Sequence, residues 1–287
     1  MSERPAPPVL SNPRSERVRA ARRLAGRSAR QRAGAFLAEG PQAVREAVAG
    51  HAPSRPGAVR ELFVTPDGAA RHPQIVAAAQ EAGVPVRRCT EEVLADLADT
   101  QAPQGLVAVC DLVGVPLATA LDPAPRLVAV LAHVRDPGNA GTVLRSADAA
   151  GADAVVITDS SVDVHNPKAV RATAGSLFHL DVVSGVPLAD AVTALREAGC
   201  AVLAADGAGD VDLDDLADAA ETGAGPLTGP VAWVFGNEAW GLAEDDRALA
   251  DAVVRVPVHG RAESLNLATA AAVCLYATAR AHRLRRR

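Results

Sequence analysis

The sequence predicts an α/β protein with two domains. Its 287 residues, 49% of them apolar, favour two hydrophobic cores over one. Apolar segments of strand length alternate with helical patterns along most of the chain, which is typical of α/β domains. The later apolar segments are almost continuous runs of Val, Ala and Leu. Such runs indicate a parallel sheet that helices cover on both faces.

The N-terminal part of the chain predicts a small α/β/α domain over residues 13–112. Residues 1–12 are rich in proline and are expected to be disordered. The arginine-rich segment that follows is predicted to be helical, and strands and helices then alternate as far as Leu112. The predicted strands are 59–65, 84–89 and 105–112, and the predicted helices lie near 41–49, 73–82 and 90–99.

Residues 113–125 are predicted to link the two domains. They contain three prolines and one charged residue, Asp122, a composition that interdomain linkers often have. The second domain is therefore expected over residues 126–287. Its predicted strands are 126–134, 154–159, 180–185, 200–206, 230–236 and 251–257.

Charge is unevenly distributed along the chain. The net charge is −5, which alone argues against a nucleic-acid partner. Between Arg14 and Arg32, however, eight arginines face one glutamate, and the chain closes with RAHRLRRR. Such clusters bind phosphate backbones because binding releases condensed counterions. The alternative is a solvated helix face. The arginines taken as candidate RNA contacts are Arg22, Arg23, Arg27 and Arg30.

Several classes of protein are disfavoured. No run of about 18 uncharged apolar residues occurs and no signal-peptide pattern opens the chain, so we expect a cytoplasmic protein without a membrane partner. The four cysteines are far apart and form no C-x-x-C pair. Neither a disulfide framework nor a metal site is therefore expected.

Three segments each combine a buried strand, a sharp polar turn and the start of a helix. In DPGNAGTVLRSA, Asn139 can cap a helix that carries Arg145 about two turns further on. In VFGNEAWGL, Gly236 allows a close backbone approach and Glu238 lies in the turn. Open parallel sheets bind ligands at the carboxyl ends of their strands, so these turns predict one shared site.

The third segment, VPVHGRAESLNLATAAAV, places Ser264 and Asn266 at the start of an apolar helix. Ser264 is as consistent with a simple N-cap as with a functional hydroxyl. A Gly-rich turn between strand and helix also suggests a dinucleotide-binding oxidoreductase. That alternative is weaker because the G-x-G-x-x-G pattern and its downstream acidic residue are absent.

The three segments resemble known motifs. NxGxxxRSA at 139–147, VFGNExxGL at 234–242 and VPVxGxxESLN at 256–266 are similar, in order and spacing, to the motifs of the SpoU (TrmH-like) branch of the SPOUT RNA methyltransferases. The arginine-rich segment from Asn12 resembles the start of that family's RNA-binding domain. Val256 and Val258 stand where the family more often has Ile and Met.

This resemblance implies an α/β domain with a deep trefoil knot and a homodimer whose active site draws on both subunits. It implies S-adenosylmethionine as the cofactor, methylation of an RNA ribose 2′-hydroxyl as the reaction, and no requirement for a metal. Large-subunit ribosomal RNA is the expected substrate, with tRNA or a non-catalytic RNA-binding role as alternatives. The cofactor-binding positions implied are Ala205, Gly236, Val256 and Leu265.

The resemblance also assigns roles to side chains. A guanidinium is a poor base at neutral pH. We therefore expect Arg145 to grip the phosphate beside the target ribose and align the 2′-oxygen. The remaining implied roles are orientation of that arginine and the ribose by Asn139, Glu238 and Ser264, support of the turn by Asn266, and a second phosphate contact at Arg171, which could equally be a surface arginine.

Overall fold

The computed structural model of the protein describes residues 9–285. They form two compact units: residues 9–113 with residues 165–179, and residues 114–164 with residues 180–285. The strands are β1 (Ala35–Glu39), β2 (Val59–Val64), β3 (Val86–Arg88), β4 (Leu106–Asp111), β5 (Leu127–Leu131), β6 (Ala154–Thr158), β7 (Asp181–Val186), β8 (Ala201–Ala205), β9 (Val211–Asp212), β10 (Val231–Phe235) and β11 (Ala252–Arg255).

Helices of four to 14 residues separate most of these strands, and an 18-residue helix follows the last strand. The α-helices are α1 (Glu16–Arg22), α2 (Arg27–Ala33), α3 (Pro41–Ala49), α4 (Pro66–Arg71), α5 (Pro73–Glu81), α6 (Glu91–Leu97), α7 (Leu117–Ala120), α8 (Pro137–Ala150), α9 (Pro167–Ala172), α10 (Leu188–Glu197), α11 (Leu213–Glu221), α12 (Glu244–Ala248) and α13 (Leu267–Leu284). Within the described part of the chain, none of them is both long enough and apolar enough to cross a membrane.

The first unit contains a four-stranded sheet in the order β1-β4-β2-β3. Strand β4 is antiparallel to β1 and β2, whereas β3 is parallel to β2. All three strands predicted for this region are present, and β1 adds one that the sequence patterns did not identify. The helices pack Val18, Leu24 and Leu94 against Phe63 of the sheet. This unit has the predicted mixed α/β character.

The arginine-rich segment is two short helices rather than one. Helix α1 runs into a single 3₁₀ turn and ends before Gly26, whose φ of −91° and ψ of 134° are extended. Helix α2 starts after that glycine and stops at Gly34, which adopts a left-handed φ of 59°. The left-handed backbone at Gly34 favours a glycine, whereas the extended backbone at residue 26 is open to any residue.

The two units divide the chain differently from the predicted domains. Residues 165–179, which the sequence patterns place within the second domain, belong to the first unit. There the Phe36 ring lies 5.0 Å from the His165 ring and 6.0 Å from the Phe178 ring. Part of the predicted linker packs on the second unit, since Val115 N–H donates to the Val182 carbonyl and Ala120 of α7 is buried.

The second unit is built on a seven-stranded sheet in the order β7-β6-β5-β10-β8-β11-β9. Every neighbouring pair is parallel. Central strand β10 is fully buried and has helices on both faces: Val234 packs in one cluster with Val192 and Leu195 of α10, whereas the Trp233 indole donates to Thr278 of α13 at 2.9 Å. The prediction of a covered parallel sheet is therefore confirmed. Short β9, at one edge, was not predicted.

Candidate active site

Three central strands end level with one another. Phe235, the last residue of β10, pairs with Leu131 at the end of β5 and with Ala205 at the end of β8. The loops that follow these strands start from one edge of the sheet. This edge is where a parallel sheet places its ligands, and two of the three sequence motifs begin there.

Glu238 joins the loop after β10 to the start of α8. Its carboxylate accepts hydrogen bonds from the backbone N–H groups of Asp136 at 2.9 Å and Arg135 at 3.2 Å, and from the Asn139 side-chain amide at 3.3 Å. The N-cap of α8 is Asp136, which accepts from the Asn139 backbone N–H at 2.8 Å. The prediction that Asn139 caps this helix is therefore wrong. Its amide side chain is directed to Glu238 instead.

The pKa of the Glu238 carboxyl lies below its ordinary value of about 4.5. Partial burial acts in the opposite direction and is the largest single influence. The backbone N–H groups of Asp136, Glu238 itself and Arg135, together with the Asn139 amide, outweigh it by stabilising the charged form. Glu238 is therefore a carboxylate at neutral pH, and its hydrogen bonds hold two loops together.

Asn266 extends this arrangement to α13. Its side-chain amide donates to the Asn139 carbonyl oxygen at 3.1 Å, while its own carbonyl oxygen caps α13 by accepting from Ala268 N–H at 2.9 Å. Three predicted catalytic residues, Glu238, Asn139 and Asn266, thus form one hydrogen-bonded row. Since Asn266 is the N-cap, the alternative of a Ser264 N-cap is excluded.

A cavity of about 620 Å³ opens beside this row. This volume falls in the usual range of small-molecule sites. Its walls combine apolar side chains with carboxylates and a hydroxyl. All four predicted cofactor-binding residues and two predicted catalytic residues line it, namely Ala205, Gly236, Val256, Leu265, Glu238 and Ser264.

Gly236 is required by the packing of its own loop. A Cβ atom at this position would lie 2.4 Å from the backbone carbon and oxygen of Gly241. Two parts of the loop therefore approach each other closely at this glycine, which also lines the cavity. Asn237 N–H donates to Gly241 O at 2.8 Å, and Gly241 N–H donates back to Asn237 O at 3.0 Å.

Arg145 stands apart from the cavity lining. Its side chain is exposed and has no hydrogen-bond or ion-pair partner among residues 9–285. It lies six residues beyond Asn139 in α8, about 9 Å along the helix axis and about 120° around it. Thr142 shares its exposed face, as predicted. Within one chain, Arg145 and Asn139 therefore point in different directions.

The predicted RNA-contacting arginines differ in availability. Arg22, Arg23 and Arg27 are exposed, and Arg22 also forms a 3.0 Å ion pair with Asp96. Arg30 is a correction: only 2% of it is exposed, and its guanidinium donates to the carbonyl oxygens of Leu24 and Ala25. It closes the turn between α1 and α2 and cannot reach a phosphate in this conformation.

Arg171 is not an isolated surface arginine, because its guanidinium is already paired within the protein. It forms ion pairs with Asp99 at 2.9 Å and with the buried Glu39 at 3.4 Å, all within the first unit. Any phosphate at Arg171 would have to compete with these two carboxylates. Over the described residues, no group of three or more His, Cys, Asp or Glu side chains is arranged to hold a metal ion.

Sequence reasoning missed two residues of the site, Asp206 and Asn237. Asp206 accepts from Leu242 N–H at 3.0 Å and from Ala208 N–H at 2.9 Å, which anchors the loop after β10 to the end of β8. Asn237 is buried and donates to the His133 carbonyl oxygen at 2.8 Å. The position of Asp206 just after a strand, and that of Asn237 beside Glu238, were the available signals.

A doubly covered parallel sheet with a polar row and a ligand-sized cavity at its carboxyl edge is typical of α/β enzymes. Residues 126–276 match the sequence profile of the SpoU rRNA methylase family, and residues 15–108 match the MRM3-like substrate binding domain. The chain belongs to the SpoU rRNA methylase family. The predicted family and enzyme class are thereby confirmed.

Relatives and solved structures agree with this assignment. The 23S rRNA (guanosine(2553)-2′-O)-methyltransferase RlmP of Bacillus subtilis is 33% identical over 93% of this chain and 97% of its own length. An AdoMet-bound rRNA methyltransferase from Sinorhizobium meliloti has a TM-score of 0.78, with 29% identity over 95% of this chain and 97% of that one. The SpoU methyltransferase AviRb from Streptomyces viridochromogenes, in complex with AdoMet, has a TM-score of 0.75, with 30% identity over 93% and 98%.

Proposed function

We propose that this protein methylates a ribose 2′-hydroxyl of large-subunit ribosomal RNA with S-adenosylmethionine as the methyl donor. The observation that carries the proposal is the row Glu238, Asn139 and Asn266, whose first member lines the cavity. Amide and carboxylate groups offer both donors and acceptors, which suits recognition of a ribose. A relative aligned over 93% of this chain is a 23S rRNA 2′-O-methyltransferase.

The cavity suits S-adenosylmethionine in its chemistry. Val256, Pro257 and Leu265 would offer apolar walls for an adenine, and the carboxylates of Asp206 and Glu238 would offset the positive charge of a sulfonium. Bound there, the cofactor supplies an electrophilic methyl group. Ala205, Gly236, Val256 and Leu265 are the residues proposed to hold it.

The side chains of the site position the acceptor rather than provide a strong base. The oxygens of Glu238 already accept three hydrogen bonds, and the low pKa of this carboxyl makes it a weak proton acceptor. Arg145 is a poor base but a good bidentate ligand for a phosphate. We therefore assign Arg145 to the phosphate next to the target ribose, and Asn139, Glu238 and Ser264 to orientation of the ribose.

A homodimer would bring Arg145 to the cavity. In α13, Val273 and Tyr276 are 40% and 53% exposed, and the Tyr276 hydroxyl lies 3.5 Å from the Ala149 carbonyl oxygen of α8. Helices α8 and α13 thus share a partly apolar outer face that carries Arg145. Pairing two chains through this face would let Arg145 of one subunit serve the cavity of the other.

The knot, the domain roles and the location are further parts of the proposal. Membership of the family supports a deep trefoil knot in the loops after β10 and β11, within a methyltransferase domain over residues 126–287. The match of residues 15–108 to a substrate binding domain supports RNA binding by residues 13–112. A ribosomal RNA substrate in a bacterial cell would place the protein in the cytoplasm.

Methyl transfer to unmodified 23S rRNA, transcribed in vitro, tests the reaction. With radiolabelled S-adenosylmethionine, we expect incorporation that maps to one ribose 2′-oxygen, and none into bulk tRNA. Arg145→Lys keeps the positive charge but loses the bidentate contact with the phosphate, so kcat should fall roughly ten-fold or more. Incorporation into tRNA alone would contradict the substrate assignment, and wild-type turnover by Arg145→Lys would contradict the role of the arginine.

A mixing experiment tests the shared active site. Arg145→Ala and Glu238→Gln are each expected to be nearly inactive. The two variants are mixed in equal amounts and allowed to pair at random, so that about half of the dimers contain one subunit of each variant. If Arg145 serves the cavity of the other subunit, each mixed dimer has one intact site of two, and the mixture should regain about a quarter of wild-type activity. If Arg145 serves its own cavity, mixing restores nothing.

Two arginines of the N-terminal segment separate RNA binding from folding. Arg27→Ala removes an exposed charge, so the KM for rRNA should rise and its salt dependence should weaken, with Tm unchanged. Arg30→Ala removes a buried guanidinium that satisfies two carbonyl groups, so Tm should fall. Equal effects of the two variants on rRNA binding, without a change in Tm, would argue against this distinction.

A further inference from the structure

Trp240 is a large aromatic side chain left in solvent. It is 60% exposed, whereas the other tryptophan, Trp233, is fully buried. Phe36, Phe63 and Phe235 are buried as well. Aromatic residues make up only 2% of this sequence, and an indole exposed to this extent forgoes the stabilisation that burial of its rings would give.

The loop that carries Trp240 is held in place on both sides. Asn237 and Gly241 exchange two backbone hydrogen bonds across it, and the Asn237 side chain accepts from Ala239 N–H at 2.8 Å. Leu242 N–H, directly after the loop, donates to Asp206 at 3.0 Å. The indole is thus presented by a braced turn, which lowers the entropy lost when a flat ligand stacks on it.

Trp240 also lies at the rim of the cavity. It lines the cavity together with Val258 and Leu265, which are 38% and 37% exposed. Only one residue separates it from Glu238, so their Cα atoms are at most about 7 Å apart. An exposed apolar rim therefore adjoins the carboxylate proposed to orient the ribose.

We propose that Trp240 is the platform on which the unstacked base of the target nucleotide stacks. This inference rests on the proposed function. A base is joined to the ribose carbon next to the one that bears the 2′-hydroxyl. When the ribose sits at Glu238, its base must occupy space within a few ångströms of that carboxylate, and Trp240 lines the same cavity two residues further along the loop.

Stacking is the contact that fits this occupant. Proteins that act on single-stranded or splayed RNA stack bases on aromatic side chains, and such stacking tolerates any base because each has a flat π-face. Trp240 would then keep the target base out of the RNA helix, and the row of Glu238, Asn139 and Asn266 would orient its ribose. Recognition of the surrounding RNA falls to other parts of the chain.

The two tryptophans make a direct binding test possible. Trp233 is sealed in the core and donates to Thr278, so its emission should not respond to RNA. Titration of the wild type with unmodified 23S rRNA transcribed in vitro should quench tryptophan emission, and Trp240→Phe should abolish that quenching. Quenching that persists in Trp240→Phe would overturn the inference.

Kinetics provide the second test. We expect Trp240→Ala to raise the KM for rRNA roughly ten-fold or more, and Trp240→Phe, which keeps a ring, to restore most of the loss. The affinity for S-adenosylmethionine, measured by calorimetry without RNA, and the sedimentation of the dimer should remain those of the wild type.

Each contrary result has its own meaning. Weaker cofactor binding by Trp240→Ala would make the indole a cover for the cofactor, and dissociation into monomers would make it a subunit contact; either result overturns the inference. Unchanged kinetics would overturn it as well. Failure of the wild type to methylate rRNA would instead overturn the proposed function, and the inference with it.

Discussion

The carbonyl oxygen of His133 accepts a 2.8 Å hydrogen bond from the buried side-chain amide of Asn237. His133 lies two residues after Leu131, the last residue of β5, and has a left-handed φ of 58°, a conformation that costs a residue with a Cβ atom about 1 kcal/mol or more. Its imidazole Nε2 lies 3.1 Å from the Asp246 carboxylate. Two contacts therefore hold this backbone where the loop into α8 must start.

Asn237→Ala and Asn237→Asp should both destabilise the protein. The alanine leaves the His133 carbonyl and the Ala239 N–H without their partner, and the aspartate turns an acceptor towards the His133 carbonyl. A loss of roughly 1–3 kcal/mol of unfolding free energy is expected. Urea unfolding with an unchanged slope measures it. The control is Gln31→Ala, which removes an exposed helical amide and should leave stability unchanged. An Asn237→Asp variant as stable as the wild type would contradict the hydrogen bond from Asn237 to the His133 carbonyl.

Gly236→Ala should abolish binding of S-adenosylmethionine. Its added methyl group would overlap the Gly241 backbone, so the loop that lines the cavity must shift. Calorimetric titration with the cofactor should show no binding, and Tm should fall. Gly207→Ala is a matched control for stability, because nothing lies within 4 Å of the Cβ atom it would add. Normal cofactor binding by Gly236→Ala would show that the close approach of the two glycines is dispensable.

The unfolding free energy should decrease in acid partly through Glu238. Its pKa is lower in the folded protein than in the unfolded chain, so its stabilising contribution is complete above its ordinary pKa of about 4.5 and is lost as the pH falls through the lowered folded value. Glu238→Gln should remove this part of the pH dependence. Unfolding curves at a series of pH values from neutral downwards measure the difference between the two proteins.

One result would contradict this prediction. Identical acid profiles for the wild type and Glu238→Gln would mean that the hydrogen bonds from Arg135, Asp136 and Asn139 do not favour the charged carboxylate.

All four thiols should resist modification until the protein unfolds. Burial raises the pKa of Cys200 to about 11 and those of Cys89 and Cys274 to about 12, and it raises the pKa of Cys110 as well. The reactive thiolate is therefore scarce at neutral pH, and all four side chains are inaccessible. A chromogenic disulfide reagent should titrate none of them in buffer and all four in guanidinium chloride. Rapid reaction in buffer would show that a core opens locally.

Much of this fold could be predicted from strand-length apolar runs. The segments at 126–134, 154–159 and 230–236 became β5, β6 and β10 because buried parallel strands need apolar residues on both faces. Strand β9 was missed because Val211 and Asp212 carry no periodic pattern. The break between α1 and α2 depends on the conformation of Gly26, which a run of arginines does not encode.

The candidate site was predicted unevenly for a physical reason. Motifs place Asn139, Glu238 and Asn266 at the ends of elements, and parallel strands that end level then bring them together. Arg30 was misjudged because a sequence records charge but not which guanidinium a tight turn encloses. Asn237 was missed because its importance depends on the His133 carbonyl, which is more than a hundred residues away.

Residues 165–179 limit how this protein can be divided or recombined. The backbone passes between the two units three times, after Val113, before His165 and after His179. A chimera made by exchange at a single crossover point in the linker would deprive Phe36 of its native neighbours His165 and Phe178. Exchange of the N-terminal unit between relatives therefore requires residues 165–179 to be transferred with it, as a two-piece graft.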